Sequence, residues 1–233
     1  MPARTSTAKC SELLDHTMAG MAERLLNVRA PAGMMTALRW GFDKLDQAYA
    51  GTSPRVLARV VCRAGCDSCC SVPVDASAHE VFFSANHIQI HFSPVELTTV
   101  IARLARHRDR VTAYAEGQRA RSRKPCALLK AGACSAYAAR PGTCRSHHTS
   151  NVALCIANKA DASVNVTNAY LPALDARMFA VTFGVDEAFE AAGYDERCYD
   201  FGSALHEALT NSLCLMRWLR HQPAFPDSCL AKV

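Results

Sequence analysis

Cys62-Arg63-Ala64-Gly65-Cys66-Asp67-Ser68-Cys69-Cys70 sets four thiols within nine residues. Packing alone does not ask for thiols at that density, whereas a soft metal does. The first two cysteines could share one face of a helical turn, and the two-residue gap between Cys66 and Cys69 is the loop grip of zinc sites and iron-sulfur clusters. Consecutive side chains diverge, so Cys69 and Cys70 should serve two sites, or one should ligate while the other packs, bridges or reacts. Four more thiols follow at Cys126, Cys134, Cys144 and Cys155, and of the twelve cysteines only Cys10, Cys198, Cys214 and Cys229 lie outside this central stretch. Those outer four read as small apolar or incidental thiols. The central eight make two four-thiolate centres, or one cluster beside a second structural metal, because zinc sites and iron-sulfur clusters both take four cysteines. Donors this soft exclude magnesium and calcium and leave zinc, iron in clusters and cuprous copper.

The rest of the chain bounds this reading. With 233 residues and 50% hydrophobic content it can bury one sizeable core. No apolar leader precedes Ser11, and no window approaches the roughly 18 apolar residues needed to span a bilayer. A soluble, cytoplasmic protein without a membrane partner is therefore expected, and in a reducing compartment clustered cysteines bind metal sooner than they form disulfides. The formal charge of +5 is a poor guide to partners, because metal-bound thiolates would remove most of the excess. The basic stretch Arg103, Arg106, His107, Arg108, Arg110, Arg119, Arg121, Arg123 and Lys124 has no interleaved aromatic apart from Tyr114. It is expected to be a solvated helix face rather than a nucleic-acid surface.

The fold class that follows is mainly α, a single helical domain around an irregular cysteine-rich centre with little strand. Leu13, Leu14, Met18, Met21, Leu25 and Leu26 recur at helical spacing until Pro31, and Met34, Leu38, Phe42, Leu45 and Tyr49 form a second stripe over 33–50. Residues 81–92 fit a half-buried strand or a helix. Ser93-Pro94-Val95-Glu96 is a capping box that opens a helix to about Gln118. Residues 126–155 break into short pieces that a metal is expected to order, and helices over 172–192 and 199–220 precede a loose tail after Pro223. The chain divides on this reading into an N-terminal helical arm (1–55), a cysteine module (56–160) and C-terminal helices packed on it (161–233).

Gly132-Ala133-Cys134-Ser135-Ala136-Tyr137 and Arg140-Pro141-Gly142-Thr143-Cys144-Arg145, together with the upstream run, resemble the G-x-C-x-x-Y, R-P-x-x-C-R and C-x3-C-x2-C-C motifs of the YkgJ-like cysteine-cluster family of zinc- or iron-chelating domains. The resemblance spans Cys62 to about Cys155. It implies a bacterial cytosolic metal-binding protein, often described as an iron-sulfur protein, and a flagellin lysine methylase is among the relatives. Carried over, the ligands are Cys62, Cys66, Cys69, Cys70, Cys126, Cys134 and Cys144, with Cys155 at a less uniform position. Many members have proline after the fifth cysteine, where this chain has Ala127.

Read as chemistry, Arg140 and Arg145, with Arg63, lie beside these ligands, where guanidinium charge would offset a multiply anionic thiolate centre or hold a bound anion. Tyr137 is expected to pack with its hydroxyl capped. His147 or His148 could replace a thiolate, His87 and His91 would share a strand face with Gln89, leaving space for a ligand between them, though solvent exposure accounts for them more simply, and His79-Glu80 lacks the second histidine of a zinc hydrolase motif. No glycine-rich dinucleotide loop, G-x-S-x-G elbow or Walker A pattern is present. The expected function is a zinc or iron centre, or an iron-sulfur cluster, in a redox or cluster-based role. The alternatives are a zinc-stabilised binding module and a metal-dependent enzyme akin to a methyltransferase.

Overall fold

In the computed structural model, which describes residues 2–63 and 65–231, Pro31 opens a helix rather than closing one. Helix α1 (Pro2–Leu26) ends five residues earlier, and α2 (Pro31–Ala50) carries the proline in its first turn, where the missing N–H has no partner to lose. The short α3 (Pro54–Leu57) leads into the cysteine run, whose second half, Ser68–Ser71, is a single 3-10 turn. Strand β1 (Asp75–Ser77) then hands the chain to α4 (Ala78–His91).

The ambiguous stretch is thus helical. Val81, Phe82, Ala85 and Ile88 are all buried, so α4 is apolar on most faces and shows little amphipathic period. His87 and His91 sit one helical turn apart with ring centroids 4.4 Å from each other, so they share a helix face rather than a strand face and leave no space for a ligand between them.

Ser93 caps α5 (Pro94–Thr112), accepting the Glu96 N–H while Glu96 accepts the Ser93 N–H. The helix stops at Thr112 rather than near Gln118. Beyond it the chain turns through Gly117, at φ 68°, into the short α6 (Gln118–Arg121), and the Tyr114 hydroxyl is tied to Ser122 Oγ at 2.9 Å. Arg119 corrects the expectation of a solvated basic face: it is 5% exposed and paired to Asp75 and to Asp200.

Strands β2 (Leu129–Lys130) and β3 (Ala133–Cys134) form a hairpin whose turn residues Ala131 and Gly132 both have positive φ, 50° and 76°, as a tight two-residue turn requires. A 3-10 turn at Tyr137–Ala139, helix α7 (Gly142–Ser146) and helix α8 (Val152–Ala160), capped by Asn151, complete the middle of the chain. These pieces have their own hydrogen bonds, so this stretch is more regular than expected.

Helix α9 (Pro172–Ala191) lies along α1. A Cβ at Gly184 would fall 2.8 Å from the Leu14 carbonyl oxygen, so the two backbones approach where only glycine fits. The expected final helix is three elements. Tyr199 belongs to β4 (Cys198–Asp200), antiparallel to β1 with Ala76 opposite Tyr199, and α10 (Phe201–Thr210) begins at the Asp200 cap. The Asn211 carboxamide then accepts the Leu213 N–H, a local bond that competes with the helix and separates α10 from α11 (Leu213–Trp218). The tail is packed rather than loose, with Phe225 and Cys229 buried and Leu230 bridged to Tyr199. One hydrophobic cluster draws on all three parts of the chain: Met21 and Leu38, then Val81 and Ile88, then Leu174 and Trp218. The fold is mainly helical with little strand, a single domain.

Candidate metal centre

Three separated segments bring cysteines to one cavity. The first is the turn carrying Cys69 and Cys70, with Cys66 just before it. The second begins at Cys126, whose N–H donates to the Cys70 carbonyl at 2.7 Å, and continues through the hairpin to Cys134. Arg103 reaches back from α5 to the carbonyls of Cys126 and Leu129, fixing this segment without touching a thiol. The third is α7, which presents Cys144.

Helix α7 is held from below by two buried charged groups. Glu80 Oε1 accepts the Gly142 N–H at 2.6 Å, while Oε2 accepts the Ser77 N–H at 3.0 Å, so one carboxylate ties the first turns of α4 and α7 together. Arg145 is 7% exposed and turns away from the thiols toward Asp46 and the carbonyls of Ala138 and Arg140.

The resulting cavity has a volume of about 400 Å³ and is walled by Cys66, Cys69, Cys70, Cys126, Cys134 and Cys144. Val72, Val74, Leu128 and Phe201 supply an apolar side, and Tyr137, Arg140 and His147 line the rest. Tyr137 is not packed inside, as expected, but 60% exposed at the mouth with Arg140 stacked on its ring at 3.8 Å.

Cys62 and Cys155 do not line the cavity. They come together around Thr149, whose N–H donates to Cys62 Sγ at 3.4 Å and whose side chain opposes the rise in the Cys155 pKa. Helix α8, which carries Cys155, packs against the Ser68–Ser71 turn. His147 lines the cavity with Nδ1 held 3.3 Å from the Tyr170 hydroxyl. His148 does not line it; its buried Nδ1 has no hydrogen-bond partner and its ring lies against Tyr49.

Cys62, Cys69, Cys126, Cys134, Cys144 and Cys155 are raised in pKa, and the causes show their crowding. Burial pushes Cys126 up to about 11. Burial and then Cys126, Cys69 and Cys134 push Cys144 higher. Cys69 is raised by its hydrogen bond to Cys70 and then by burial. Arg140 opposes the rise at Cys69, Cys134 and Cys144. Cys62 is raised first by burial and then by Cys66, Cys69 and Cys155, so the outer pair belongs to the same electrostatic neighbourhood. A bound cation reverses this balance, since a coordinating thiol is deprotonated outright.

Among the described residues, no three His, Cys, Asp or Glu side chains are gathered to hold a single metal ion. The six inner donors ring a volume instead of converging on a point, and their softness fits zinc or iron. The sequence reading missed the groups that position the site, Glu80, Asp46 and Thr149. Only Glu80 had a local signal, Ser77-Ala78-His79-Glu80, a capping pattern at the start of α4.

Comparison with family models, with curated proteins and with solved structures gave no match to this chain. Among the described residues no helix is long and apolar enough to cross a membrane.

Proposed function

We propose that this chain is a metal-binding cysteine-cluster protein whose inner cavity holds iron, as an iron-sulfur cluster, in a redox or cluster-based role. The carrying observation is that six cysteines from three separate segments wall one cavity of about 400 Å³. A mononuclear zinc site needs four donors within about 2.3 Å of one point. A polynuclear centre takes its cysteines around a cluster rather than around one ion, and six cysteines lining one cavity support that reading. Cys66, Cys69, Cys70, Cys126, Cys134 and Cys144 would hold it, with Cys62 and Cys155 adjacent on the Thr149 side. When bound, such a centre supplies one-electron chemistry. The chain's own part is to exclude water with Val72, Leu128 and Phe201, and to offset thiolate charge with Arg140. The resemblance to the YkgJ-like cysteine-cluster family supports the same reading.

Substitution separates ligands from bystanders. Cys66→Ser and Cys69→Ser should lose bound metal and much of the folding cooperativity together, whereas Cys214→Ser, at a buried thiol outside the cavity, should keep its metal. Unchanged metal content and melting in both inner variants would refute the assignment.

A further inference from the structure

Most basic side chains around the cavity are accounted for, and the exceptions are Arg140 and the exposed Arg63, both of which line it. Arg103 is spent on the carbonyls of Cys126 and Leu129, Arg119 on Asp75 and Asp200, Arg145 on Asp46, and Lys159 on Asp67. Arg140 makes no ion pair among the described residues, and its Nε is buried without a hydrogen-bond partner. A guanidinium in that state is a standing debt of hydrogen bonding, because a buried donor left unmade forfeits its hydration.

The surroundings hold this group in place. Its own carbonyl accepts from Arg145 Nε at 3.2 Å, Pro141 follows it, and its guanidinium carbon lies over the Tyr137 ring, 3.8 Å from the centroid. Stacking occupies a face of the guanidinium and leaves its edge, where the N–H fork lies, free to point elsewhere. Arg140 lines the cavity together with the apolar side chains Val72, Val74, Leu128 and Phe201.

We infer that the mouth of this cavity is a binding site for the anionic head, carboxylate or phosphate, of a small organic molecule, with Arg140 as the anchor and the apolar wall as the seat for its body. The fork of an arginine matches two oxygens of either group, and burial strengthens the pairing. The site shares Arg140 and this wall with the cavity proposed to hold the cluster, and the inference is argued from the guanidinium and the wall alone.

Protection of Arg140 from phenylglyoxal tests it in the full-length protein as isolated, with modified arginines mapped by peptide mass spectrometry and metal content measured on the same sample. Acetate and inorganic phosphate are the probes, chloride at equal ionic strength is the control, and Arg55, an exposed arginine elsewhere, is the internal reference. The expected result is a saturable, several-fold slowing of modification at Arg140 and not at Arg55. Slowing by phosphate alone marks a phosphate head, and slowing by acetate marks a carboxylate. No slowing beyond chloride with either probe, or equal slowing at Arg55, would overturn the site whatever the metal analysis gives.

Discussion

Glu80 occupies a position where burial and hydrogen bonding pull against each other. Burial and then the neighbouring Asp186 raise its pKa from 4.5 to about 7, although it accepts two backbone N–H groups that favour the charged form. A carboxyl raised on folding contributes stability that is full below its unfolded value and is lost as pH rises through its folded value. Its contribution therefore falls between 4.5 and about 7. His79 has the opposite sign, since burial lowers it and its penalty fades as pH rises, so Glu80 must be read as a difference between variants. Glu80→Gln keeps one oxygen acceptor for two donors and should lose about 1–3 kcal/mol under mildly acidic conditions. That gap should narrow between about pH 5 and about pH 8, measured by urea unfolding; a constant gap would contradict the assignment. Asp200 is the reverse case. Burial alone would raise it, but His107, Ser203 and Arg119 hold it well below the usual carboxylate range. Asp200→Ala leaves Arg119 buried with only Asp75, and should destabilise the fold by about 3–5 kcal/mol in urea melts; a loss under about 1 kcal/mol, typical of a surface pair, would contradict this account.

At the scale of elements, local chemistry was readable wherever it was carried by neighbours in sequence. The Ser93 capping box is spelled out by four consecutive residues, and Ser93→Ala should lower the stability of the chain by about 1 kcal/mol, seen as a few degrees in Tm. The ends of elements set by distant partners were not readable. Helix α10 begins where Asp200 is fixed by Arg119 and His107, and nothing near Tyr199 in sequence announces the pairing with β1. Likewise α4 is apolar on most faces because it is enclosed by α2, α10 and β1, which removed the period that would have distinguished it from a strand. Helix α7 has only five residues and depends on Glu80 for its first turn. Gly142→Ala would place Cβ 2.9 Å from Glu80 Oε1 and 3.1 Å from Thr182 Oγ1, so it should shift α7. The prediction is lower metal retention in this variant than in the parent with no cysteine altered, measured by metal analysis after dialysis against chelator; equal retention would show that α7 placement is not limiting.

For the whole molecule, the cysteine spacing pointed to a centre, but the division of labour within it required the fold. Spacing could not show that Cys62 and Cys155 meet at Thr149 outside the cavity, because those residues are brought together by α8 packing on the Ser68–Ser71 turn. Nor could it separate Arg140 from Arg145, which stand on the same short motif, yet one lines the cavity and the other is buried against Asp46. The mainly helical class was legible because α1, α2, α5 and α9 carry their own periodic apolar faces, and one core then joins them to the cysteine segments. Whether the cavity holds a soft-metal centre is decided by anaerobic purification from iron- and zinc-replete cells, followed by metal and acid-labile sulfide analysis with a visible spectrum. Iron together with sulfide and a brown, oxygen-sensitive chromophore is expected; stoichiometric zinc without sulfide would overturn the polynuclear assignment, and a metal-free chain whose thiols take up neither iron nor zinc would rule out a metal centre altogether.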